Sequence, residues 1–183
     1  PDLRGKTTAL FQTFMKSKSS IFVILGHQTD LRQLARQELP FRFDAPPREY
    51  DEVTPVVNPG ITNFSISSEA STAFSRFPPV SVHFGKTSVN AGVTVVLHQK
   101  VGSVVTDKPL LLLSSDDSKK LGIMLGEGIW RWRLNEFDRT ENTTYFDEVF
   151  GKLVQFLSTT DDKRKFRSYP VRQEFSDTEP VVF

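Results

Sequence analysis

Three short apolar runs constrain this chain more than any other feature: Ile21-Phe22-Val23-Ile24-Leu25, Leu110-Leu111-Leu112-Leu113 and Leu121-Gly122-Ile123-Met124-Leu125. None approaches the ~20 residues needed to span a bilayer. None alternates with polar residues either, as a strand with one wet face does. Each therefore reads as a strand buried on both faces, and the first, closed by Gly26, has the character of a parallel strand. The second and third are joined through Ser115-Asp116-Asp117-Ser118, a turn that predicts a hairpin.

Helical patterns stand on either side of these runs. Within Leu3 to Met15, apolar residues at Leu10, Phe11, Phe14 and Met15 suit an amphipathic helix ending near Lys16 and Lys18. Thr29 to Leu39 reads as a short helix, with Thr29 or Asp30 as N-cap and Pro40 beyond its end. The strongest pattern places Tyr145, Phe146, Val149, Phe150, Leu153, Val154, Phe156 and Leu157 at helical spacing behind the cap-like Asn142-Thr143-Thr144. Between Pro40 and about Asp107 the character changes to paired prolines and alternating strands, Val80 to Phe84 and Val93 to Leu97. The expectation is an α/β domain over residues 1–165 with a β-rich insertion near 40–107. Residues 166–183 then read as two short strands leading to a following domain, and a start at Pro1 reads as a piece cut from a longer protein.

Composition narrows the function. The formal charge of +1 leaves no global basic field of the kind that binds nucleic acid. The mixed-sign run Asp161-Asp162-Lys163-Arg164-Lys165 reads as a solvated connection. With no cysteine, disulfides, thiolate metal sites and thiol catalysis are excluded. The three histidines, His27, His83 and His98, lie in separate segments without zinc spacing, so neither metal nor cofactor is expected.

Both tryptophans fall in Gly126-Glu127-Gly128-Ile129-Trp130-Arg131-Trp132-Arg133, directly after the third apolar run. This reads as a strand ending in a tight turn, beyond which an extended chain would show one aromatic and one cationic face. Here, and in the helix ending Leu153-Val154-Gln155-Phe156-Leu157-Ser158, the chain resembles the C-terminal part of class I glutamine amidotransferase-like domains. Such domains occur in bacterial membrane-associated proteins that often also carry von Willebrand factor A modules. Ile21 to Gly26, Phe77-Pro78-Pro79, Phe84-Gly85 and Lys108-Pro109-Leu110 belong to the same resemblance, which spans roughly residues 3 to 170.

The resemblance implies an amidotransferase-like or flavodoxin-like three-layer sandwich, with helices on both faces of a mainly parallel sheet. It also implies an extracytoplasmic, periplasmic domain tethered through its parent to the inner membrane. Active members use a cysteine on a strand-to-helix turn with a late His and Glu. This chain has no cysteine, and its late turn reads Gly126-Glu127-Gly128. The nucleophile half of that fold is expected to lie outside this sequence.

The expected role is thus a non-catalytic, ligand-sensing or protein-interaction module, partnered by other domains of its parent or by another protein. The alternatives are a hydrolase or amidotransferase whose nucleophile lies elsewhere, and a structural spacer. Ligand- or partner-binding candidates are Glu127, Trp130, Arg131, Trp132, Arg133 and His27. Glu127 is turn chemistry or a partner of Arg131 or Arg133. Trp130 and Trp132 form a recognition platform flanked by anion-binding arginines, or else they cap the sheet while the arginines pair with Glu136 and Asp138. His27, beside Gln28, Thr29 and Asp30, stands where open α/β sheets place ligands, and a lone histidine there is also an ordinary polar loop residue. The sixteen phenylalanines read mostly as core or as an interface with the rest of the parent protein.

Overall fold

A computed structural model of the chain describes residues 7–43, 49–62, 64–116 and 119–159. The elements in chain order are α1 (Thr8–Lys16), β1 (Ile21–Ile24), α2 (Leu31–Leu34), β2 (Phe41–Phe43), β3 (Tyr50–Val57), α3 (Ser68–Phe74) and β4 (Val80–His83). They continue with β5 (Thr87–Val89), β6 (Thr94–Val101), β7 (Val104–Ser115), β8 (Lys120–Met124), β9 (Gly126–Glu127), α4 (Trp130–Thr140) and α5 (Thr144–Ser158). The strands expected at residues 166–183 and the charged connection before them lie outside the described residues.

All three apolar runs enter one seven-stranded sheet of order β1-β8-β7-β6-β3-β4-β9. β7 and β8 form the expected hairpin, and β1 runs parallel to β8. The expectation of a mainly parallel sheet is corrected here: every other neighbouring pair in this sheet is antiparallel. Parallel pairing requires a crossover of a dozen residues or more, whereas β6 and β7 are joined by Gly102-Ser103 alone, with Gly102 at φ +58°. The β-rich stretch is not set apart from the sheet. It supplies β3, β4 and β6, while β2 and β5 form a separate two-stranded ribbon.

The apolar run of β7 is buried between two cores, with Leu110 in the same core as Leu111 and strict alternation only from Leu111 to Leu113. Leu111 and Leu113 join Phe74, Phe77, Trp132, Val149 and Leu153 in a core beneath α3, α4 and α5. Leu112 points the other way, into a second core with Leu31 and Leu34 of α2 and Phe41 of β2, against which Phe11 and Met15 of α1 pack. The molecule is therefore an α/β fold with a sheet covered on both faces.

The Trp-Arg segment departs from its expected extended form, because it is the first turn of α4. Gly128, at φ +106°, ends β9 and lets the chain turn into a helix. At 3.6 residues per turn, positions two apart lie on opposite sides. Trp132 is accordingly fully buried, whereas Trp130 is 62% exposed. The Trp132 indole N–H donates to the Pro78 carbonyl at 2.9 Å, and its ring packs against Phe74 and Phe77 at 5.7 and 6.1 Å.

The cap of α5 also differs from expectation. Asn142 Oδ1 accepts the Thr144 N–H at 3.3 Å, but Thr143, at the N-cap position, accepts none of the N–H groups that follow it. Instead the buried Glu136 of α4 accepts the backbone N–H groups of Tyr145 and Phe146, both at 2.8 Å. A carboxylate there also faces the positive end of the α5 dipole.

Candidate functional site

β1 and β8 end side by side, and the chain leaves each through a glycine. Leu25 N–H still donates to the Met124 carbonyl at 2.8 Å, after which Gly26 and His27 turn away from the sheet. Gly26 N–H donates to the Thr29 hydroxyl at 3.0 Å, and Asp30 caps α2 by accepting from the N–H groups of Arg32 and Gln33. On the other side Gly126 and Glu127 cross over to pair with β4, which sets Glu127 directly opposite Ser81. Opposed residues of an antiparallel pair share a face, so the Glu127 and Ser81 side chains lie together.

His27 lies over both. Its Nδ1 meets Glu127 Oε1, its backbone N–H donates to Oε2 at 3.1 Å, and its Nε2 lies 3.2 Å from the Ser81 hydroxyl. Both glycines are required for this approach. A Cβ on Gly26 would collide with the Glu127 carboxylate, and one on Gly126 would lie 2.7 Å from Val82 Cγ1 and 2.8 Å from the Ser81 carbonyl oxygen.

β3 completes the cluster. Tyr50 stands opposite His83 in the β3–β4 register. Its ring centroid is 3.9 Å from that of His27 and 4.8 Å from that of His83, and its hydroxyl donates to the His27 carbonyl at 3.2 Å. His83 Nε2 is buried with no hydrogen-bond partner among the described residues.

Charge follows from this packing. Burial lowers the His83 pKa, and the neighbouring His27 lowers it further against the opposing pull of the Gly26 carbonyl and Glu127. For Glu127, partial burial opposes ionisation, but the hydrogen bonds from the His27 ring and N–H, with the charges of His27 and His83, outweigh it. Its carboxyl is held below the usual carboxylate value.

The order Ser81, His27, Glu127 is that of a nucleophile, a base and a group that orients the base. Among the described residues, the strand setting of Ser81 differs from that of an exposed nucleophile. Ser81 is only 7% exposed and sits within a strand paired on both sides, to β3 and β9. An oxyanion hole needs free N–H donors aimed beside the nucleophile, and ladder pairing takes up the backbone groups that flank Ser81.

The structure thus brings together two of the six expected binding residues, His27 and Glu127. The other four belong to α4. Arg131 lies 5.7 Å from the Trp130 ring and donates to the Pro79 carbonyl at 3.4 Å. Arg133 pairs with Asp147 at 3.3 Å. A hydrogen bond from Thr143, and then Arg133, hold that carboxyl below its usual value against slight burial. The expected arginine partners Glu136 and Asp138 are corrected by this pairing, since Glu136 is committed to α5. Glu127 likewise partners His27 in place of Arg131 or Arg133. Sequence reasoning missed Ser81, His83 and Tyr50 as members of a site. The period-2 pattern Val80-Ser81-Val82-His83 already put Ser81 and His83 on one face, but nothing local in it named β3 and β9 as neighbours.

No protein-family model and no curated protein matches this chain. Two solved structures share its fold, both from Salmonella typhimurium. One is the cytoplasmic protein STM3548, at 13% identity and TM-score 0.50, matched over 82% of this chain and 59% of that one. The other is the cytoplasmic protein STM1381 of strain LT2, at 12% identity and TM-score 0.53, matched over 84% of this chain and 61% of that one. The chain thus spans about three fifths of the length of these structures. The expected periplasmic location is corrected at this point: the proteins that share the fold are named as cytoplasmic, so the fold does not carry a periplasmic address. Among the described residues, no helix is long and apolar enough to cross a membrane.

Proposed function

We propose that the chain is a non-catalytic recognition module of a larger protein, and that its ligand meets His27, Tyr50, His83 and Glu127. The observation that carries this reading is the half-exposed His27–Glu127 pair at the carboxyl ends of β1 and β8, flanked by Gly26, where a Cβ would displace the Glu127 carboxylate, and Gly126, where one would strike the β4 backbone. Ligands of open α/β sheets bind at this edge. Glu127 offers an acceptor, His83 an unsatisfied ring nitrogen and Tyr50 an exposed aromatic face, a set suited to a small planar molecule that donates N–H. We further read the layered fold as amidotransferase-like, within the kind of membrane-associated parent that the resemblance implies. Cover on both sheet faces supports that reading, and the antiparallel pairing departs from it.

Ligand-observed NMR with a set of small carboxamides and azoles tests the proposal. Binders are expected whose signal is lost in Glu127→Gln and Tyr50→Ala but kept in Trp130→Ala. Binders indifferent to Glu127 and Tyr50, or none at all, would refute it. A second reading, serine hydrolysis, is favoured by the 3.2 Å approach of Ser81 Oγ to His27 Nε2. It predicts that a fluorophosphonate labels Ser81 and that His27→Ala abolishes labelling. That result would replace the non-catalytic reading.

A further inference from the structure

The opposite face of the sheet carries a second concave surface, separate from the His27 cluster. Between α3, α4 and the start of α5 lies a groove of about 370 Å³ whose apolar wall includes Phe77 and Tyr145. Its size is that of a small-molecule site.

Two guanidinium groups border the groove: Arg76, just past the end of α3, and Arg139, in the last turn of α4. Both are exposed, and neither makes an ion pair among the described residues, whereas Arg133 on the same helix pairs with Asp147. Two carboxylates also line the groove. Glu136 is committed to the N–H groups of Tyr145 and Phe146. Among the described residues Glu69 accepts a single hydroxyl, that of Ser68 at 3.0 Å. Finally, Asn135 lines the groove, and its Oδ1 is buried with no hydrogen-bond partner among the described residues. A buried acceptor left unpaired is destabilising, and a donor entering the groove would relieve it.

Each simple ligand leaves part of this set unmatched. An anion without a donor satisfies the arginines but leaves Glu69 and Asn135 unanswered, and a cation does the reverse. We propose that the groove binds a free α-amino acid with an apolar or aromatic side chain. The carboxylate meets Arg76 and Arg139, the ammonium group donates to Glu69 and Asn135 Oδ1, and the side chain packs on Phe77 and Tyr145. The proposal is independent of the role of the His27 cluster, and neither falls with the other.

Calorimetric titration of the whole chain with L-phenylalanine, 3-phenylpropionate and phenethylamine separates the contributions. L-Phenylalanine is expected to bind at least about tenfold more tightly than either analogue that lacks one charge. Arg76→Gln and Arg139→Gln should each weaken it by about tenfold or more, while Arg133→Gln leaves it unchanged. Glu69→Gln should weaken L-phenylalanine but not 3-phenylpropionate. These four variants alter exposed side chains, and circular dichroism checks that each keeps the fold. Equal binding of 3-phenylpropionate and L-phenylalanine would overturn the proposal in favour of a plain anion site. Absence of binding by L-phenylalanine, or binding indifferent to both arginines, would overturn it outright.

Discussion

Trp132 lies wholly inside the helical layer with its one polar atom bonded to Pro78, so Trp132→Ala removes both a large buried surface and that bond. It should lower the unfolding free energy by about 3–5 kcal/mol. Trp130→Ala, at an exposed position, should change it by no more than about 0.5 kcal/mol. Denaturant titration of the two variants checks the contrast, and equal losses would show that the burial difference is wrong. His83 and Glu127 supply a second prediction. Both have folded-state pKa values below their ordinary ones, so the unfolded chain binds more protons across each titration and stability falls as pH falls. The His83 contribution is fully present above its ordinary value of about 6.5 and is lost as pH drops through its lower folded value. Glu127, Asp147 and Glu148 add further losses below the ordinary carboxylate range. The denaturation midpoint should therefore be flat above neutrality and decline on acidification. His83→Asn should remove the part of the decline nearest pH 6; an unchanged profile in that variant would count against His83 as its source.

At the scale of elements, α4 and α5 are coupled through Glu136. Its carboxylate takes two N–H groups that α5 cannot satisfy within itself. Glu136→Ala should cost about 3 kcal/mol, at the upper end for hydrogen bonds to a charged group. Hydrogen exchange should quicken first at Tyr145 and Phe146. If protection there is unchanged, Glu136 is not the cap. Glycines play the matching part for the short strand β9. Gly126→Ala brings a methyl against the Ser81 carbonyl, so β9 must move from β4 and carry Glu127 away from His27. The pH dependence contributed by Glu127 should shrink in that variant together with overall stability. The face of α4 that bears Trp130, Leu134 and Phe137 is exposed at positions i, i+4 and i+7. Arg131 stacks on one end of this stripe, and the described residues leave it open to solvent.

For the molecule as a whole, the two cores are not independent units. β7 sends Leu111 and Leu113 into one and Leu112 into the other, so neither can come apart without disturbing the strand that both share. Unfolding should be a single transition. Tryptophan fluorescence reports on the helical side, where Trp132 lies, and a fluorophore attached at a cysteine introduced for Gln12 of α1 would report on the other. Coincident denaturation curves are expected, and separated midpoints would divide the molecule into two cooperative units.

Local sequence determined the elements whose burial pattern is self-contained. All three apolar runs were legible as strands, but only the second and third are buried on both faces, since β1 lies at the sheet edge with Ile24 exposed. The α5 spacing was legible as a helix and Thr29 or Asp30 as the cap of α2, because these depend on periodicity and on partners a few residues away. The Trp-Arg segment misled because alternation over four residues fits a strand, while the helical spacing of Trp130, Leu134 and Phe137 emerges only over eight. The carboxyl edge marked by His27 was visible as a place, and Glu127 as a residue. Their meeting was not, since 100 positions separate them. Only the tertiary structure decided that β9 lies on β4, that Ser81 faces Glu127, and that Glu136 caps a helix other than its own. Each of these depends on strand order and direction, which the short β6–β7 and β7–β8 turns settle for their own pairs but which the long β3–β4 connection through α3 leaves open. The physical reason is that periodicity records which face of an element is buried. It carries no information on which neighbour does the burying.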